Sequence, residues 1–163
     1  MLVAVSLPRV LVERARREAE RLGVSLEEYF LEVISGNLDP RDKAEAFIEA
    51  SKELLEGARK ELGKGDVRQA AEKVWVAVAL AVKAYAYAKE GKRLASHGDL
   101  WRYKEVLVSD LGEWVRDSWA YASSMHTCFY EGWCTEKDVE VGISRAERLV
   151  GELEGRVKEK LQA

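Results

Sequence analysis

The segment from Val74 to Ala88 limits what this chain can become more than any other stretch. Only Lys83 interrupts its fourteen otherwise apolar positions. A helix that is apolar nearly all round needs neighbours on several sides. With its flanks, Val67 to Glu90 holds eight alanines, whose small side chains let other helices approach closely. The chain must therefore build a bundle around this helix. The apolar run is too short to span a bilayer, so no membrane association is expected. A length of 163 residues allows one sizeable core with a small appendage.

Helix punctuation is dense on both sides. Pro8 opens a helix at its first turn, with Leu11, Ala15, Ala19 and Leu22 at helical spacing and Gly23 as its stop. Ser25 and Glu28 form a capping box for the next helix, which carries Leu26, Phe30, Val33 and Ile34 and closes at Gly36-Asn37. Asp39 caps a longer helix with Pro40 at its first position. Gly63-Lys64-Gly65 is a tight turn, and Asp66 with Gln69 starts the next helix. Together these predict an antiparallel hairpin between Asp39–Leu62 and Val67–Glu90. Ser96 caps a short helix through Trp101 and Val106. Asp110 and Glu113 open an aromatic helix that ends before Gly132. Thr135 and Asp138 start a last helix striped by Val139, Ile143, Ala146, Val150, Leu153, Val157 and Leu161. Residues 2–7 alternate, Val3, Val5 and Leu7 against Leu2, Ala4 and Ser6, and suit a strand. Such a strand has no partner of its own, which predicts pairing with a symmetry mate. The expected fold is all-α: an up-and-down antiparallel helical bundle at 39–163, preceded at 1–38 by a short strand and two small helices.

Composition narrows the function classes. Net charge is −3, and by segment residues 1–39 carry −2, 40–93 carry +3, 94–134 carry −3 and 135–163 carry −1. Nucleic-acid binding normally leaves a stronger basic footprint, although a modest patch on 40–93 is compatible with these sums. One Asn and two Gln against 34% charged residues suggest a thermophilic source. No signal peptide is legible, so a soluble cytoplasmic protein is expected. Cys128 and Cys134 lie six apart across a helix end; a bridge between them is conceivable but not favoured. Two Cys and two His without a C-x-x-C pattern predict no zinc site, and no cofactor is implied.

Two resemblances add to this. The order of strand, helix, Gly turn and helix in residues 1–38 resembles a ribbon-helix-helix module. That implies a dimeric ribbon whose outward residues, here Leu2, Ala4 and Ser6, would face DNA. They offer one hydroxyl for base-edge contacts, so packing or dimerisation is the expected use. Residues 40–162 resemble the archaeal PaREP family, which is similar to HEPN domains. The resemblance rests on Gly65-Asp66-Val67-Arg68-Gln69-Ala70-Ala71-Glu72-Lys73-Val74-Trp75, Ala81-Val82-Lys83-Ala84, Ser96-His97-Gly98-Asp99-Leu100-Trp101 and Met125-His126-Thr127-Cys128-Phe129-Tyr130-Glu131-Gly132-Trp133. It implies a helical bundle that often dimerises, and ribonuclease or nucleotide-binding roles in toxin–antitoxin pairs. The active motif of HEPN ribonucleases is an Arg followed within a few residues by a His. Here nine residues separate Arg116 from His126.

The chemistry-bearing residues concentrate late in the chain. Eight of the fourteen aromatic residues fall between Trp101 and Trp133, with both cysteines and, just before and within, both histidines. Arg116 and His126 are about 15 Å apart along a helix and roughly 80° apart around it, too far to grip one phosphate within a chain. Arg116 is therefore expected at the surface, and His126 mostly buried on a structural hydrogen bond. His97 is expected as an exposed loop or capping residue. Lys83 is expected to snorkel to water, the alternative being an anchor for a phosphate or carboxylate together with Arg116 or His126. Trp114, Tyr121, Met125 and Cys128 make one stripe of the aromatic helix, and Ser118, Ala122, Phe129 and Trp133 another. Both suit core or interface packing better than base stacking. The favoured function is a non-enzymatic, homodimeric interaction module. The alternatives are a metal-independent ribonuclease or nucleotide-binding protein using His126 and Arg116, and a DNA-binding regulator using the N-terminal ribbon.

Overall fold

A computed structural model describes residues 1–163 as seven helices: α1 (Arg9–Leu22), α2 (Leu26–Ile34), α3 (Pro40–Gly63), α4 (Val67–Glu90), α5 (His97–Leu111), α6 (Trp114–Glu131) and α7 (Glu136–Gln162). None of them is long and apolar enough to cross a membrane. The predicted hairpin is present. Asp66 accepts from the Gln69 amide to start α4, and Gly65 takes a positive φ of 84° in the turn. Gln69 does not return the bond, so its side chain is not a partner in the cap.

Helix α4 is the axis of the bundle. From Ala70 to Tyr87 every residue but Lys73 is buried. Helices α3, α6 and α7 pack around it, and α5 joins at the α6 side. The Ser51 hydroxyl donates to the Ala77 carbonyl at 2.6 Å, which spares a buried hydroxyl between the two long helices. Helix α7 buries its predicted stripe down to Val157. At Gly142 it comes so near α6 that an added Cβ would stand 3.0 Å from the Met125 sulfur.

Three sequence expectations change. The strand at residues 2–7 does not form: residues 1–8 are exposed and without regular structure, and residues 1–7 enter no backbone–backbone hydrogen bond. β-branched side chains favour a strand only where a neighbour supplies the ladder, and everything else in this chain is helix. The segment instead leans on α3. The Met1 ammonium lies 3.2 Å from Glu53, and Leu2 occupies the notch left by Gly57. Second, α5 is longer than expected, because Asp110 does not cap α6. It sits inside α5 and accepts from the Tyr85 hydroxyl at 2.6 Å and from Lys89 at 2.7 Å. Third, Cys128 and Cys134 are joined as a disulfide. Gly132 ends α6 in the left-handed conformation at φ 70°, and this turn brings the two Cα atoms to 5.7 Å, within the normal range for a bridge.

Candidate functional site

One stripe of α4 carries the polar residues of the interior. Glu72 and Lys83, eleven residues apart, lie about 20° apart around a helix of 3.6 residues per turn, with Trp75 and Tyr87 about 60° to either side of Glu72. Two polar centres are built on that stripe, one near each end.

The first gathers both histidines. His126 of α6 places Nδ1 3.0 Å from a carboxylate oxygen of Glu72. Glu72 is buried and His126 is half-buried. His97, the first residue of α5, lies against His126 with ring centroids 6.2 Å apart. Trp75 packs against both rings, at 5.5 Å from His97 and 5.7 Å from His126. Tyr130 stands edge-on to His126 at 5.1 Å. The Trp101 indole donates to His97 Nε2 at 2.7 Å, which leaves the proton of a neutral His97 on Nδ1. Gly23, in the turn between α1 and α2, closes over this centre; an added Cβ there would meet the His97 Cβ at 3.2 Å.

The environment drives the two imidazoles apart. Burial lowers the His97 pKa, and the neighbouring His126 charge lowers it further. Burial also works against a charge on His126, but the hydrogen bond and charge of Glu72 outweigh it, so His126 is raised. Glu72 is itself raised, chiefly by burial, with His126 pulling the other way. One His thus favours the neutral form and the other the protonated form, but the single lone pair of neutral His97 is taken by the Trp101 indole, so His97 is free to accept a proton only where that bond opens. No group of three or more His, Cys, Asp or Glu is placed to hold a metal ion.

The second centre surrounds Lys83, and here the sequence expectation fails. Lys83 does not snorkel. It is fully buried, with Nζ 3.5 Å from Glu28 and 3.4 Å from Glu32. Both carboxylates come from α2, which lies across α4. A lysine on a helix covered all round has no short route to water, and it is paired inside instead. Glu32 also accepts from the Tyr87 hydroxyl at 3.1 Å and faces Arg93 at 3.6 Å. Glu28 has two jobs. One oxygen closes the capping box on the Ser25 amide at 2.9 Å, and the other turns towards Lys83.

Arg116 joins neither centre. It is exposed on α6 and bound to Glu105 at 2.8 Å and Glu113 at 2.7 Å. Glu105 is correspondingly held down at about 2, first by the Arg116 hydrogen bond. His97 is not a free loop residue, because α5 begins at it. Ala4 and Ser6 are exposed in the unstructured segment, and Leu2 is seated on α3. The largest groove, about 720 Å³, runs between α3 and α7 past Arg59, Glu140 and Arg145 and contains none of the candidates.

Glu72, Glu28, Glu32, Tyr87 and Arg93 were not legible as site residues. The one available signal was the spacing of Glu72 and Lys83 on an otherwise apolar helix: two ionisable groups on one buried line call for partners.

The model of the archaeal PaREP1/PaREP8 family matches residues 46–150. This chain belongs to that family. The match takes in Glu72, Lys83, His97 and His126, and leaves Glu28 and Glu32 outside it. No curated protein and no solved structure matches the chain.

Proposed function

We propose that this PaREP1/PaREP8 protein is a non-enzymatic interaction module, a HEPN-like bundle at residues 39–163 that forms homodimers through an arm at residues 1–38. One observation carries this. Ten of the thirteen exposed large hydrophobic residues fall in the first 38 positions, among them Val3, Val5, Val10, Leu11, Val33 and Ile34. A soluble chain seldom leaves so much of its exposed apolar surface in one small region unless something covers it. The backbone of residues 1–7 makes no backbone hydrogen bond within the chain and is open to pairing with a partner. A charge on that surface tests the reading: Val33→Glu with Ile34→Glu should turn a dimer into a monomer in light scattering, while helix content stays unchanged. An unchanged dimer would argue against the arm.

A second reading is favoured by the convergence of His97, His126 and Glu72. Two imidazoles of opposite tendency beside a carboxylate suit metal-independent cleavage of a phosphodiester, His126 acting as acid and His97 as base once the Trp101 indole releases its Nε2. Purified protein would then cut RNA in the presence of a chelator, and His126→Ala would remove that cleavage. If His126 is structural, the same substitution lowers the melting temperature and no cleavage is seen in either form.

A further inference from the structure

Hairpin α1–α2 buries Ala15, Ala19 and Val24 and exposes Arg14, Arg16 and Arg17, but it also has an apolar outer patch and an inward pair of carboxylates. Its outer surface is apolar at Val10, Leu11, Val33 and Ile34, and its inner surface puts two carboxylates into the protein. The bundle meets those carboxylates with Lys83 and Tyr87 from α4 and Arg93 just beyond it, and with Lys43 of α3 lying 5.2 Å from the Tyr87 ring. The fit is loose. The Oε1 atoms of Glu28 and Glu32 are buried and accept no hydrogen bond, and their separations from Lys83, 3.5 and 3.4 Å, exceed an ordinary charged hydrogen bond. The Tyr87 hydroxyl keeps its proton, since burial and then the Glu32 charge raise its pKa, and so it remains a donor. An ammonium, a phenol and a guanidinium around one carboxylate provide what a tetrahedral oxyanion needs.

We propose that Lys83, Tyr87 and Arg93 form a receptor for a phosphate group, for which Glu28 and Glu32 of the α1–α2 hairpin stand in until a ligand displaces them. A free phosphate and a phosphate carried by a nucleotide present the same chemistry to the receptor. The site depends on neither functional reading, because binding there needs no cleavage and no dimer. Displacement frees the hairpin from its charged attachment to α4.

The test titrates the full chain with inorganic phosphate and with adenosine monophosphate by calorimetry, against sodium chloride at equal ionic strength. The variant E28Q/E32Q removes the competing charge and keeps the local bonds, at the cost of leaving Lys83 buried without an anion: Gln at position 28 can still close the capping box, and Gln at 32 can still accept from Tyr87. Phosphate should bind this variant at least about tenfold more tightly than the unmodified chain. K83M added to it should abolish the gain. A nucleotide that binds more tightly than phosphate identifies the nucleotide as the ligand, and equal affinities identify the phosphate group alone. No gain in E28Q/E32Q, or a gain that survives K83M, overturns the proposal. Should the double variant fail to fold, hydrogen exchange on the unmodified chain decides. Phosphate should speed exchange of the α2 amides relative to chloride, and unchanged exchange contradicts the receptor.

Discussion

In the bundle α3–α7, the apolar residues face inward. Trp75, Trp119, Leu80, Leu107 and Ile143 are all shielded from water, and most charges are left at the rim, with Glu72 and Lys83 buried on α4. In the first 38 residues the order is mixed: Ala15, Ala19 and Val24 are buried and Arg14, Arg16 and Arg17 exposed. Val3, Val5, Val10 and Ile34 are open to water, while Glu28 is completely covered. The bundle accordingly draws its stability from apolar burial and close packing, which need no partner. The hairpin adds an ion network that about offsets its own desolvation to a small set of apolar contacts through Ala15, Ala19, Val24 and Leu31. Its exposed apolar surface contributes only when another surface covers it. A region held partly by charge and finished by association can be released; a packed core cannot.

The contrast breaks most readily at its apolar end. Trp75→Ala should destabilise the chain by about 3–5 kcal/mol, read from denaturant unfolding. Val10→Ala on the exposed side of α1 should change monomer stability by no more than about 0.5 kcal/mol. Equal effects would erase the distinction between the two regions.

Next comes the charged attachment. Lys83→Met leaves two carboxylates buried without their cation and should cost about 3–5 kcal/mol. Combining it with Glu28→Gln and Glu32→Gln should recover most of that loss. A triple variant as weak as Lys83→Met alone would mean that Lys83 acts by packing rather than by charge.

A smaller effect sharpens the histidine centre. Because the folded pKa of His126 is raised, its stabilisation is fully present below the ordinary value of 6.5 and is lost as pH rises through the higher folded value. Glu72, also raised, pushes stability the same way above its ordinary 4.5. His97, which is lowered, acts in the opposite sense and only below 6.5. Melting temperature should therefore fall as pH is raised from 6.5, and His126→Gln should flatten the fall. A slope unchanged by that substitution would remove His126 as its source. The smallest effect belongs to Arg116→Ala: as an exposed ion-pair partner it should leave the denaturation midpoint almost unchanged.

What could be learned from the sequence followed the range of the forces involved. Caps and stops act within four residues. Ser25 with Glu28, Asp39 with Pro40, Asp66, and Thr135 with Asp138 were therefore legible, and each is present. The strand at residues 2–7 was misread, because β-propensity needs a neighbouring strand that a local pattern cannot supply. Lys83 was misread for a similar reason. Its partners lie more than fifty residues earlier in sequence, on a helix whose Glu28 already had a visible local role as a cap. The aromatic helix was read in part. Ser118, Ala122, Met125 and Cys128 are buried as expected, but Val115 and Trp119, which lie on neither expected stripe, join them, and Trp133 is at the surface. The bridge between Cys128 and Cys134 depended on the turn at Gly132, which spacing alone does not reveal.

Sedimentation equilibrium of the intact chain beside a chain lacking residues 1–7 tests the central claim most directly. The account predicts a dimer that dissociates, or weakens by at least an order of magnitude, when the segment is removed. An intact chain that sediments as a monomer, or a dimer indifferent to the deletion, would contradict it.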